Sequence, residues 1–97
     1  MYVGSDDDYL YALDASSGGG LIWRYQTGHS VSSSPAVAGG AVYVGSDDNH
    51  VYALDASSGE LRWRYLTGGT VYSSPAVAGG VVYVGSHDDY LYAITIP

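Results

Sequence analysis

Carboxylates gather in three short runs, Asp6-Asp7-Asp8, Asp47-Asp48 and Asp88-Asp89. Hard oxygen donors at this density could hold Ca²⁺ or meet a cationic partner. Against that reading, no run has the alternating ligands and closing Glu of a Ca²⁺ loop. Asp is also an ordinary hairpin-turn residue, because its side chain bonds the local backbone. Solvated turns are therefore the preferred reading, and no metal site is assigned. His29, His50 and His87 are interspersed with the acids, but their spacing matches no zinc motif. Ser32-Ser33-Ser34 and Ser73-Ser74 supply hydroxyls without a His–Asp pair at recurring distance, so a nucleophilic triad has no support. Gly39-Gly40 and Gly79-Gly80 precede no helix that could cradle a phosphate. No catalytic residue and no cofactor is expected.

These residues must be positioned by strands. The chain has 97 residues, with 11 Tyr, 2 Trp, 14 Gly and no Phe, a selection that suits strands and tight turns. Helix formers such as Glu, Lys and Gln are scarce. Ten acids against three basic residues give a net charge of −7, which disfavours nucleic acid and anionic membranes. With no Cys there is no disulfide framework. The N-terminus lacks a basic stretch followed by an apolar run, so no signal peptide is expected. No apolar run approaches the ~20 residues that span a bilayer, and membrane insertion is not expected.

An internal repeat organises the chain. Tyr2-Val3-Gly4-Ser5 returns as Tyr43-Val44-Gly45-Ser46 and as Tyr83-Val84-Gly85-Ser86. Aligned on these, Tyr2 to Gly18 matches Tyr43 to Gly59 at 14 of 17 positions, and Leu21 to Val42 matches Leu61 to Val82 at 16 of 22. Such identity means recent duplication or a consensus-like design. The units are residues 2–42 and 43–82, with a partial third at 83–97, forming one partial propeller over 1–97. Within the central stretch, turn signals delimit strands at Ser33–Ala38, Ala41–Ser46, His50–Leu54 and Leu61–Thr67. Four antiparallel strands per ~40 residues is the pattern of a β-propeller blade, and strands A to D run from axis to rim. Small residues in strand A (Ser34-Pro35-Ala36-Val37-Ala38) suit a crowded axis, and its Pro suits an edge. Strands B and C, as in Leu10-Tyr11-Ala12-Leu13, do not alternate cleanly, as expected if both faces of a blade are covered.

The combined pattern resembles the pyrroloquinoline-quinone-like repeat: Tyr43 to Asp48, then Val51-Tyr52-Ala53-Leu54-Asp55, Gly59 and Trp63, and in the first copy Tyr2 to Ser5, Leu10 to Asp14, Gly18 and Trp23. The tail Ile94-Thr95-Ile96-Pro97 lacks the Asp, the Gly turn and the Trp. The resemblance implies structural roles for Asp14, Gly18, Trp23, Asp55, Gly59 and Trp63, with each Trp docked against a neighbouring Gly turn. A large indole buries much apolar area there. Quinoprotein dehydrogenases are similar, but hold their cofactor with residues outside the blade motif, and none has a matching position here. The resemblance places relatives in the cell envelope or outside the cell.

The expected fold is all-β, with about two and a half blades: strands B, C and D of a first, all four of a second, and A, B and C of a third. A propeller typically closes with 4–8 blades, so open faces and edges should drive association with other copies. Ring, fibre and piece of a longer propeller all remain open. The leading functional expectation is a non-enzymatic structural or interaction module. A fragment of a quinoprotein dehydrogenase and a cation- or partner-binding acidic face are the alternatives.

Overall fold

The computed structural model describes residues 1–14 and 20–96. Among these, ten strands form three antiparallel sheets. The first blade holds β1 (Tyr2–Gly4), β2 (Tyr9–Asp14) and β3 (Gly20–Gln26). The second is complete, with β4 (Ala36–Ala38), β5 (Ala41–Gly45), β6 (His50–Asp55) and β7 (Leu61–Leu66) in sequential order. The third holds β8 (Ala76–Ala78), β9 (Val81–Gly85) and β10 (Leu91–Thr95). This is the all-β, partial-propeller arrangement expected from the repeat. No described helix is long and apolar enough to cross a membrane.

Two local features depart from the sequence reading. Strand A was expected from Ser33, yet β4 starts at Ala36. Pro35 has no N–H to give to a ladder, and the Ser33 side chain takes over instead. Its hydroxyl accepts from Gly45 N–H at 2.8 Å and donates to Gly45 C=O at 3.1 Å. Ser73 repeats the arrangement on Gly85. Removing the buried hydroxyl in Ser33→Ala strands both Gly45 groups, so a loss of about 1–3 kcal/mol is expected in urea unfolding. The second departure is a register shift between Ala53 and Leu54, which pair with Trp63 and Leu61. The skipped Arg62 is a bulge residue, and bulges re-aim side chains. Here it reaches Asp55 Oδ2 at 2.9 Å and Gly40 C=O at 3.2 Å.

The core lies between blades rather than within them. One cluster joins Leu10, Ala12 and Trp23 of the first blade to Val42, Val44, Tyr52 and Leu54 of the second. The other joins Tyr43, Val51 and Ala53 of the second to Val82 and Val84 of the third. Each blade thus has a forward face toward its successor and a rear face toward its predecessor. In the middle blade both faces are covered: β5 is buried at every position, and β6 at all but its two ends. In the third blade β9 and β10 alternate between sheltered and exposed, although their sequences nearly match β5 and β6.

Candidate functional site: the acidic turns and the open blade faces

The acidic turns link strands B and C in all three blades and share one geometry. Ser5, Ser46 and Ser86 each donate N–H to the carbonyl of Tyr9, His50 or Tyr90 at 3.1 Å. Asp8, Asn49 and Asp89 take φ of 77°, 72° and 70°, a left-handed conformation that Asp and Asn tolerate better than most residues. Asp7, Asp48 and Asp88 fold their carboxylates back onto their own hairpins. Each accepts from the backbone N–H two residues on, at 3.0–3.1 Å, and from the hydroxyl of Tyr11, Tyr52 or Tyr92. Asp48 also accepts from Gly28 N–H at 2.8 Å, and Asp88 from Gly68 N–H at 3.0 Å. These bonds cross from one blade to the connection leaving its predecessor.

Asp47 accepts from Ser32 Oγ at 2.9 Å, and the Asp6 carbonyl accepts from Ser30 Oγ. His50 Nδ1 lies 3.6 Å from Asp48 Oδ1. His29 Nδ1 accepts from Ser30 N–H, and the His87 ring packs on Tyr72 with centroids 4.6 Å apart. Among the described residues, no three His, Asp or Glu side chains converge as metal ligands. All three carboxylates cap their turns, and those of Asp48 and Asp88 also tie blades together.

Their titration follows from this bonding. The Tyr11 and Tyr92 hydroxyls hold the Asp7 and Asp88 carboxyls below the usual range. Arg62 and then Ser57 hold Asp55 well below it. A depressed folded-state pKa stabilises above the unfolded value of about 4, and that contribution is lost as pH falls through the folded pKa. The melting temperature should therefore fall from about pH 4 downward, and Asp55→Asn should flatten that fall. Tyr52 moves the other way: burial, then Asp48, pushes its phenol up to about 12. A raised folded pKa stabilises below the unfolded value of about 10 and loses that contribution as pH rises toward the folded value. Hydrogen bonds to Asp7 and Asp88 also raise Tyr11 and Tyr92. Absorbance at alkaline pH should therefore show a late-ionising fraction of the tyrosines, and Tyr52→Phe should reduce it.

The docking residues meet at the opposite turns. The Trp23 indole enters the Asp55–Gly59 turn of the second blade, where Nε1–H donates to Ala56 C=O at 3.1 Å. Tyr2 donates to the same carbonyl at 3.0 Å, and its ring lies 5.8 Å from the indole. Gly59 has φ 76°, and a Cβ there would stand 2.6 Å from Trp23 Cδ2. Asp55 builds the turn by accepting from Ser57 N–H and Ser58 N–H at 3.0 and 3.1 Å. Asp14 closes β2 opposite Gly20, while Gly18 lies outside the described residues. Trp63 is only partly buried, 5.9 Å from the Tyr43 ring.

Two further sets of residues were not singled out from the sequence. Buried hydroxyls hold the connections between blades: Ser46 Oγ reaches Thr27 Oγ1, His29 C=O and Ser30 C=O within 3.1–3.2 Å. Their signal was recurrence at the repeat offset, Thr27 with Thr67 and Ser46 with Ser86. The other set is the pair of open faces. Leu91 is 74% exposed where Val51 is 0%, Tyr83 39% where Tyr43 is 2%, and Val3 40% where Val44 is 0%.

The chain matches the family model for outer membrane protein assembly factor BamB over residues 6–96. No curated protein is similar to it by sequence. Among solved structures it is similar to BamB from Moraxella catarrhalis, with TM-score 0.86 and 18% identity over 99% of this chain and 29% of that one. A computationally designed protein, Ika4, aligns with TM-score 0.87 and 15% identity over 99% of this chain and 59% of that one. A europium-containing methanol dehydrogenase aligns with TM-score 0.78 and 23% identity over 96% of this chain and 18% of that one. The chain thus spans under a third of the BamB structure and under two thirds of the designed one. A match over nearly the whole repeat, together with propeller neighbours, means that the chain belongs to the BamB family of pyrroloquinoline-quinone-like propeller repeats.

Proposed function

We propose that this chain is a non-enzymatic interaction module whose copies associate head to tail, extending or closing a propeller. The observation that carries this is the unequal fate of equivalent residues. Val3, Tyr11 and Leu13 on the rear face of the first blade align with Val44, Tyr52 and Leu54, which are covered by the first blade. Tyr83, Leu91 and Ala93 on the forward face of the third align with Tyr43, Val51 and Ala53, which are covered by the third. The two ends are therefore the two halves of an interface that the chain already makes twice. Burying one large aliphatic side chain contributes roughly 1.5–3 kcal/mol, so an apolar face of several such residues favours coverage. A non-enzymatic role is supported by the acidic turns, in which Asp7, Asp48 and Asp88 serve as caps. The BamB family match supports a setting in the cell envelope.

Native mass spectrometry over a dilution series tests the association. Multiples of the 10.2 kDa chain that dissociate on dilution are expected. A folded monomer at every concentration would contradict the proposal.

A further inference from the structure

In two places the backbone leaving a blade lies back in a groove of that same blade. Val31 N–H donates to Ser5 C=O at 3.0 Å, and Thr27 gives its N–H and hydroxyl to Asp8 C=O at 2.8 and 3.0 Å. The Val31 side chain covers Gly4, where a Cβ would stand 2.6 Å from Val31 Cγ1. In the next blade Val71 N–H donates to Ser46 C=O at 3.4 Å, and Thr67 gives both its donors to Asn49 C=O at 2.7 and 2.8 Å. A Cβ on Gly45 would stand 2.3 Å from Val71 Cγ1. Both valines are buried. The occupants share one sequence, Thr-Gly-x-x-Val, at residues 27–31 and 67–71.

The third blade carries the same groove without an occupant among the described residues. It is a cleft of about 610 Å³ lined by Gly85, Ser86, Asp89, Leu91 and Tyr72, among others. Its backbone already has the occupied geometry. Asp89 N–H donates to Ser86 C=O at 3.3 Å, the same bond at the same length as Asn49 to Ser46, and φ at Asp89 is 70° against 72° at Asn49. The Tyr72 hydroxyl stands 3.4 Å from where a Gly85 Cβ would be, beside the slot that a valine takes in the other two blades. A site held in its binding geometry avoids part of the ordering cost of association.

The geometry points to a peptide-binding groove at Gly85–Ser86–Asp89 that takes a Thr-Gly-x-x-Val segment from another polypeptide, bent at its second and third residues as 28–29 and 68–69 are. The valine N–H donates to Ser86 C=O and its side chain covers Gly85 in place of the Tyr72 hydroxyl. The threonine donates to Asp89 C=O, and Leu91 gains apolar cover. Main-chain bonds would provide affinity, and the glycine slot would select the valine. The inference stands apart from self-association, because a short peptide carries none of the Val3, Tyr11 and Leu13 face that the head-to-tail contact uses.

A fluorescent peptide with the sequence of residues 67–77, titrated into the full chain and followed by anisotropy, tests it. Saturable binding is expected, weakened about tenfold or more when the peptide carries Val71→Asp, since a buried valine is lost and a charge enters. Gly85→Val in the chain should weaken it similarly by filling the slot. The peptide variant gives the same discrimination with no change to the protein's fold. Absence of saturable binding at millimolar peptide, or binding indifferent to Val71→Asp, would overturn the inference. Native mass recorded on the same samples reports self-association separately, so either reading can fail without the other.

Discussion

Replacing Trp23 with alanine is expected to destabilise the chain by about 3–5 kcal/mol, the range for truncating a large buried aromatic. The change removes the indole from the Asp55–Gly59 turn, its bond to Ala56 C=O and its contact with Tyr2. Trp63→Ala should cost clearly less, because Trp63 is only partly buried within this chain. Urea unfolding followed by circular dichroism gives both values, and equal losses would contradict the docking account. Gly59→Ala should resemble Trp23→Ala in direction. It forces a side chain into a backbone at φ 76° and toward an indole 2.6 Å away.

The second large effect concerns association. Leu91→Glu places a carboxylate at the centre of the forward face, and Val3→Glu does so on the rear face. An apolar contact is lost and a charge must be desolvated, so each should raise the dissociation constant about a hundredfold or more. Neither should unfold the single chain, since both positions are well exposed in it. Because the interface joins unlike faces, the two variants mixed together retain one intact junction. Sedimentation should then show dimers in the mixture and monomers in either variant alone. Monomers in all three samples would argue against unlike faces meeting.

Much of the fold was legible because the repeat states it three times. The Tyr-Val-Gly-Ser strand, the acidic turn and the Leu-Tyr-Ala-Leu strand recur with enough identity to fix the order of strands and the unfinished first and third blades. What escaped depended on contacts between blades. Nothing local distinguishes Asp48, which folds inward onto Gly28 and Tyr52, from Asp47, which meets Ser32. Ser33 reads as the start of a strand, and only the missing N–H of Pro35 explains why its hydroxyl substitutes for a ladder. Arg62 gave no sign that a bulge would aim it at Asp55. The open faces were expected in principle, but which residues they carry follows from the alternation that separates β9 from β5.

Those faces can be probed without background, because the chain has no cysteine. Copies carrying Val3→Cys mixed with copies carrying Leu91→Cys, under mild oxidation, test the head-to-tail geometry most directly. A mixed disulfide dimer formed well above either same-site dimer is the predicted result, since residues at these two positions share a core cluster at both internal junctions. Same-site dimers in equal yield, or no trapping at concentrations where the native mass exceeds one chain, would contradict it.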